Sequence, residues 1–512
     1  IVFQPLTDAA AAEGREYAFG YEADAQTVQL RGARVYRKTG QVEEATETGE
    51  TDSVAPGMAM HSGSRVAYVH FPRLFPGDVV GVLYRIEDVA ERNVFADYFG
   101  EVTYMQSRDA IFHSDYVLIT PKSRQFHINK PNLPSLKVST IEKGDERIFR
   151  YTATNVPALQ AEPLQPPGAE LFAHVHVSTY KSWDQMGAWY WGLVKDQFVA
   201  DDEVRRRAQE ITKGLTTDAA KVRAVYGFVV QKTRYVALEF GIHGYKPYRC
   251  AQIFARGFGD CKDKATLIVT MLKELGIPAT IVIVRTRHKG DFEPEPASLA
   301  PFDHAIAYVP SMNLYLDGTA EYTGSTELPQ MDRGALALQV NEGKPVLVHL
   351  PDPPASESVL SLRTELQLAP DGGAAVDWTA KVTGMHAPGF RQRYHAASAR
   401  KTRITEDLNG AIPSFDPDSV DTGDLENVEE PVRLHTKGKA KSFARKDGER
   451  FSVAVGPKDH FVRDYATLST RKRDLWLPGR TTTDDEWLVK LPAGAKVLEG
   501  PKAASGQSIY GS

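Results

Sequence analysis

Cysteine is scarce in this chain. Among 512 residues there are 2, Cys250 and Cys261, which excludes a disulfide scaffold. No run of about 18 apolar residues occurs, so no segment reads as a membrane-spanning helix. Neither sign of charge dominates: Lys+Arg 61 against Asp+Glu 66 leave a formal net charge of −5. That balance offers no electrostatic footprint for nucleic acid or an anionic lipid surface. Internal repeats and low-complexity tracts are also lacking. What is present is an ordinary globular composition, 42% hydrophobic and 25% charged, which removes general disorder and coiled-coil architecture.

The length exceeds one hydrophobic core. At roughly 150 residues per domain, three or four domains are expected. The chain starts at Ile1 and ends at Ser512 straight after a strand-like stretch. Both ends are expected to be cut from a longer product, so the lack of a signal segment carries no information.

Three regions follow from periodicity. Residues 1–178 read as β-rich. Tyr17, Phe19 and Tyr21 alternate, and further strands are expected at Val66–Phe71, Val79–Ile86, Tyr116–Ile119, Ile148–Ala153 and His174–Val177. Residues 179–345 change period. Ser182 is a plausible N-cap for a helix with Trp183, Met186, Trp189, Tyr190, Leu193 and Val194 on one face. Thr216 or Thr217 opens a second helix. A third begins near Cys261, carries Ile268, Met271, Leu272 and Leu275 on one stripe, and is stopped by Gly276 and Pro278. Strands at Ala279–Arg285, His304–Val309 and Leu314–Leu316 follow, an α+β order. Pro351–Pro354 reads as a linker. Residues 356–512 return to strands, expected at Val359–Leu368, Ala374–Val382, Ser452–Val455 and Trp487–Leu491.

The chemistry concentrates at Gly257-Phe258-Gly259-Asp260-Cys261-Lys262-Asp263-Lys264. A glycine-rich turn delivers Cys261 to the first turn of a helix, whose positive end favours a thiolate, and Lys262 and Lys264 are expected to add positive charge. A lone cysteine in such a place is ordinarily a small core residue. Two further residues change the reading. His304 begins a strand, and Asp317 ends the next one across the short Pro310–Asn313 connection. A hairpin there would set His304 beside Asp317, which is the nucleophile, base and orienting carboxylate arrangement of acyl transfer.

The strings Phe258 to Ala265, Leu275-Gly276-Ile277-Pro278-Ala279, Phe302-Asp303-His304 and Leu316-Asp317-Gly318-Thr319 resemble the transglutaminase-like superfamily. Their order and spacing are similar to its bacterial branch, in which a β-rich domain of unknown function precedes a papain-like core. The motif-bearing resemblance covers roughly residues 180 to 345. It implies a multidomain chain: a central α+β papain/transglutaminase-like core flanked by two mainly antiparallel, sandwich-like β domains. It also implies a Cys-His-Asp triad with Cys261 as nucleophile, His304 as base and Asp317 orienting it. Asp303 stands where many relatives carry Asn. For the oxyanion, the backbone N–H of Cys261 is preferred over Tyr235 as a donor. The expected function is cysteine-dependent acyl transfer or hydrolysis on amide bonds of a protein or peptide substrate, with no metal and no organic cofactor. The alternative is a non-catalytic cell-envelope scaffold that keeps the fold. Relatives with this domain order are typically exported, so a periplasmic or cell-envelope location is implied.

Other motifs carry ordinary readings beside sharper ones. Cys250 as a redox partner of Cys261, or a zinc ligand with His243, lacks the usual spacing, and a helix-packing cysteine is expected. His174 and His176 share a strand face, the arrangement of a metal pair, but exposed strand histidines are the commoner case and are expected here. Trp183, Trp189, Tyr190 and Trp191 are read as core packing ahead of a carbohydrate platform. Arg471-Lys472-Arg473 is read as a solvated loop.

Overall fold

The computed structural model describes residues 1–53, 60–89, 95, 98–456, 461–503, 505 and 506. The chain divides into two compact units. One holds residues 1–161, 167–321 and 334–350, and the other 162–166, 322–333 and 351–512.

The first unit opens with small sheets. Val79–Asp88 lies between Val2–Phe3 and Gln26–Tyr36, with Val42–Glu44 on the outer edge, and Ser64–His70 lies between Glu16–Glu22 and Glu47–Asp52. Period-2 alternation explains the packing: Tyr17, Phe19 and Tyr21 turn inward while their neighbours are exposed. Val35, Val69, Phe71, Val80 and Val82 form the shared core. Two more three-stranded sheets follow, centred on Glu146–Val156 and His174–Ser178.

Five α-helices come next, Trp183–Val194, Asp202–Ile211, Asp218–Lys232, Cys250–Arg256 and Cys261–Glu274. They precede a five-stranded antiparallel sheet in the order Leu314–Leu316, His304–Val309, Thr280–Arg285, Leu336–Val340, Val346–His349. This is the α+β order expected. Ser182 caps Trp183–Val194 by accepting the Gln185 N–H, and Thr217 caps Asp218–Lys232 by accepting that of Ala220; Asp202–Ile211, capped by Asp201, lies between them and was not expected. The helix Cys261–Glu274 ends as read. Gly276 adopts φ 76°, and the Ile277 N–H reaches back to the Leu272 carbonyl at 2.9 Å. Its burial differs from the expected stripe, because every residue from Lys262 to Leu272 is buried. Packed between sheet and helices, this stretch has no solvent side, and Lys262 and Asp263 enter interior ion pairs with Asp260 and Arg256.

The second unit is built on one five-stranded sheet in the order Phe415–Asp421, Val432–Ala440, Ala374–Val382, Val359–Leu368, Thr482–Lys490. Its pairings are antiparallel except the last, which is parallel. Strands Val359–Leu368 and Ala374–Val382 match the sequence reading; Ser452–Val455 does not, since pairing there is confined to a short hairpin of Arg445–Asp447 with Arg450–Ser452. Two helices, Ala387–Tyr394 and Arg400–Asn409, pack Tyr394, Ile404 and Leu408 into the same core. Neither is legible in the sequence, because neither has a side-chain N-cap and the second buries only Ile404 and Leu408. The Arg471–Arg473 run also departs from a freely solvated loop. Arg471 donates to the Pro163 carbonyl at 2.7 Å, and Glu162 accepts the backbone N–H groups of Lys472 and Arg473.

Candidate active site

Two glycines set up the position of Cys261. Gly257 ends the helix Cys250–Arg256 with φ 66°, a conformation a side chain resists. Gly259 approaches Asp263 so closely that a Cβ would lie 2.5 Å from the Asp263 Cβ. Phe258-Gly259 pairs in parallel with Arg234-Tyr235. Asp260 then caps the helix, accepting the Asp263 N–H at 3.1 Å, so Cys261 is the first helical residue, at the positive end of the dipole.

His304 opens the strand His304–Val309, opposite Val284. A turn at Pro310–Met312, closed by Asn313 at φ 47°, returns the chain antiparallel as Leu314–Leu316. Asp317 follows directly, and its Oδ2 lies 3.3 Å from His304 Nε2. His304 is 8% exposed and Asp317 2%. The hairpin expected from the sequence therefore brings His304 and Asp317 together. Thr319 fixes the other carboxylate oxygen, donating through its N–H at 2.8 Å and its hydroxyl at 2.7 Å. Burial pushes the Asp317 carboxyl upward, but the His304 ring and the Thr319 donors outweigh it and hold it below the usual carboxylate range.

Cys261 and His304 line the same cavity, of about 550 Å³. Tyr190 and Tyr245 also line it, and the Tyr190 hydroxyl is engaged, donating to the Tyr245 carbonyl at 3.0 Å. Glu22 and Asp24 reach it from the N-terminal sheets. Sequence reasoning missed these two acids and Tyr245; no local pattern ties residues so distant in the chain to a cysteine. Tyr235 pairs with Gly259 just ahead of Cys261 but is 42% exposed. Burial of its ring, then the neighbouring Cys261 and Asp260 charges, push its hydroxyl pKa upward.

The two lysines do not act as expected. Lys262 is 4% exposed, and its ammonium pairs with Asp260 at 2.5 Å and Glu239 at 3.4 Å. Burial opposes that charge, but Asp260 and the other neighbouring anions outweigh it and keep the lysine protonated. Lys264 is buried to 1% exposure, and burial pushes its ammonium down to about 8 against the pull of Asp317 and Glu321. Neither offers the thiol an uncompensated positive charge. Cations in an interior must be paired or lose their proton.

The remaining motifs fall away from the chemistry. Both cysteines are free. Cys250 is fully buried, and burial pushes its thiol up to about 12. His243 stacks on Tyr248 at 3.8 Å between ring centroids. His176 is 1% exposed, contrary to the expectation of exposed strand histidines; it and His174 pack against Phe292. Trp183 donates to the Pro294 carbonyl at 2.9 Å, Trp189 packs on Tyr98 and Tyr180, and Trp191 on Phe198, so the aromatic cluster is packing. No helix among the described residues is long and apolar enough to cross a membrane.

Comparison with known proteins places two domains. Residues 1–160 match the model of a domain of unknown function with solved structure, DUF3857. Residues 205–314 match the core of the transglutaminase-like superfamily, a span that includes Cys261 and His304 and stops just before Asp317. No curated protein matches the chain. Among solved structures, a candidate protease from Parabacteroides distasonis is similar over 86% of this chain and 88% of its own, at 14% identity and a TM-score of 0.59. A candidate cysteine protease from Cytophaga hutchinsonii matches over 43% of this chain and 78% of its own, at 14% identity and a TM-score of 0.20. The first likeness concerns the fold, a multidomain mixture of helices and many antiparallel sheets. The chain thus carries a transglutaminase-like core, at residues 205–314, behind a DUF3857 domain.

Proposed function

We propose that the protein is a cysteine-dependent enzyme that cleaves or transfers amide acyl groups of a protein or peptide through Cys261, His304 and Asp317. One observation supports this reading above others: Cys261, at a helix N-terminus, shares a cavity with a His304 whose Nε2 is held by the buried Asp317 at 3.3 Å. In this reading Nε2 faces Asp317 and Nδ1 exchanges the proton with the thiol. His304 takes the Cys261 proton, the thiolate attacks the amide carbonyl carbon, and the carbonyl π electrons move to oxygen. The oxyanion is met by the Cys261 backbone N–H, one of the helix donors without an intrahelical partner, with Tyr235 as a second donor. Collapse breaks the C–N bond, and His304 returns the proton to the leaving amine. Water or an amine then attacks the thioester while His304 accepts its proton, and release of the thiolate completes the cycle. Asp317 stays ionised and orients the ring.

Iodoacetamide labelling with mapping of the modified residue tests the assignment and separates it from the scaffold alternative. Cys261 should alkylate fast near neutral pH. His304→Ala should slow this by about tenfold or more and move the profile to higher pH, because the imidazolium that stabilises the thiolate is gone. Cys250→Ser should leave the fast phase intact. Loss of fast labelling in Cys250→Ser, or an unchanged profile in His304→Ala, would overturn the assignment; slow labelling of the wild-type protein would favour the scaffold.

A further inference from the structure

We propose that the cavity selects a substrate by positive charge, taking the side chain of a peptide lysine or arginine beside the reacting amide. The inference rests on the cavity being the active site, and it comes from the charge of the walls. Glu22, Asp24, Glu239 and Asp303 all line the cavity, against Lys262 as the lysine or arginine among the described lining residues. Lys262 is already committed, to Asp260 at 2.5 Å and to Glu239 at 3.4 Å.

The other three carboxylates are held by neutral donors, which fix their positions without cancelling their charge. Glu22 accepts from the Ser64 hydroxyl. Asp24 accepts the Gly241 N–H at 3.0 Å. Asp303 accepts the Thr286 N–H at 2.8 Å and its hydroxyl at 2.6 Å; the mostly exposed His288 ring lies 3.9 Å away, and Arg285, whose guanidinium donates to the Gly290, Pro301 and Lys289 carbonyls, acts on it only electrostatically. A thiolate–imidazolium pair adds no net charge, so the negative excess persists in the reactive state.

Two features give the ligand its shape. Among the described residues no three of these four carboxylates come close enough to grip one metal ion, so the charge is spread as a large organic cation requires. The walls between them include Phe302, Tyr245, Leu299 and Ile283, apolar surface for an alkyl stem and aromatic faces for its cationic head. A volume of about 550 Å³ is ample for such a side chain with its backbone. Asp303 precedes His304 in the chain, which keeps the charge next to the chemistry.

The test reads local potential at Cys261 without needing turnover. In a Cys250→Ser background, the labelling rates of the cationic trimethylammonioethyl and anionic sulfonatoethyl methanethiosulfonates are compared, with 2-mercaptoethanol as the reference thiol. The cation-to-anion ratio should exceed the reference by about tenfold at low ionic strength and shrink as salt rises. In Glu22→Gln/Asp24→Asn, where exposed side chains keep their acceptor oxygens, the ratio should fall several-fold, each rate being taken relative to that of neutral iodoacetamide with the same protein. A ratio equal to the reference, or one unmoved by the double substitution, would overturn the proposal. Peptidyl acyloxymethyl ketones ending in Lys or Glu then assign the bound group. Faster inactivation by the Lys probe supports a peptide cation, whereas equal rates with cadaverine-accelerated thioester release would overturn it in favour of a cationic acceptor. Failure of the enzyme reading shows separately, as slow reaction with neutral iodoacetamide.

Discussion

Lys264 sits one helical turn beyond Cys261 with almost no exposure, and its ammonium is pushed down to about 8 by burial. Unfolded, it would titrate near 10.4. Between those values the unfolded chain binds more protons than the folded one, so this residue makes stability rise with pH across about 8 to 10. Below pH 8 its charge costs the fold on the order of 3 kcal/mol. Lys264→Met should therefore be more stable than wild type at pH 7, by roughly 1–3 kcal/mol, and the difference should shrink toward pH 10. Guanidinium denaturation of both proteins at pH 7 and pH 9.5 measures it. A less stable variant at pH 7 would mean that Asp317 and Glu321 compensate the charge fully. At this scale the sequence was most informative about Cys261, His304 and Asp317, each marked by an element boundary. It misjudged Lys262 and Lys264, because the sign of a charge is local whereas the pairing of Lys262 with Asp260 and Glu239, and the burial of Lys264, are set by the fold.

At the scale of elements, the segment between Arg285 and His304 builds one wall of the cavity, through Leu299, Phe302 and Asp303. It holds little regular structure and is tied on one side to Val284, Arg285 and Thr286 and on the other to residues 98–183. The Tyr98 hydroxyl lies 3.0 Å from Ser298 Oγ and accepts the Leu299 N–H at 3.0 Å. Ser178 donates to the Ala297 carbonyl at 2.5 Å. Tyr98→Phe would leave the Leu299 N–H unpaired in a buried place, a loss of about 1–3 kcal/mol. Hydrogen exchange should show faster amide exchange over Ala297–Asp303 with the sheet Thr280–Arg285 unchanged. Equal exchange in the two proteins would show that other contacts hold the wall. Elements such as His304–Val309 and Leu314–Leu316 were legible to the residue, since period-2 alternation runs between Asp303, Pro310 and Gly318. The helix Arg400–Asn409 was not, since two buried apolar residues in ten carry too little pattern. Nor was the cavity wall, which is made of loop residues positioned by partners far along the chain.

At the scale of the whole first unit, the N-terminal sheets do more than precede the core. Met60–Ser62 adds in parallel to Ala237–Glu239, Asp24 accepts from Gly241, and Glu22 and Asp24 line the cavity with Cys261. Residues 1–161 and the core helices accordingly fall within one compact unit. Such sharing predicts that the two parts unfold together. Cys250 is a built-in reporter: fully buried in the helical core, it reacts with a thiol reagent only when that core opens. Val35 lies in the N-terminal core, 0% exposed, and Val35→Ala deletes buried methyl groups at a cost of about 2 kcal/mol. In a Cys261→Ser background, where Cys250 is the remaining thiol, Val35→Ala should lower the temperature of Cys250 labelling by about 4 °C. The shift should match that of tyrosine signals from the N-terminal sheets, the mark of a single cooperative transition. If Cys250 labelling stayed put while the N-terminal signals moved, the sheets would be a separate folding unit, and their acids would reach the cavity only while that unit is folded. Coupling of this kind would make the charge of the cavity, and with it the choice of substrate, depend on the folding of a domain that contributes neither nucleophile nor base.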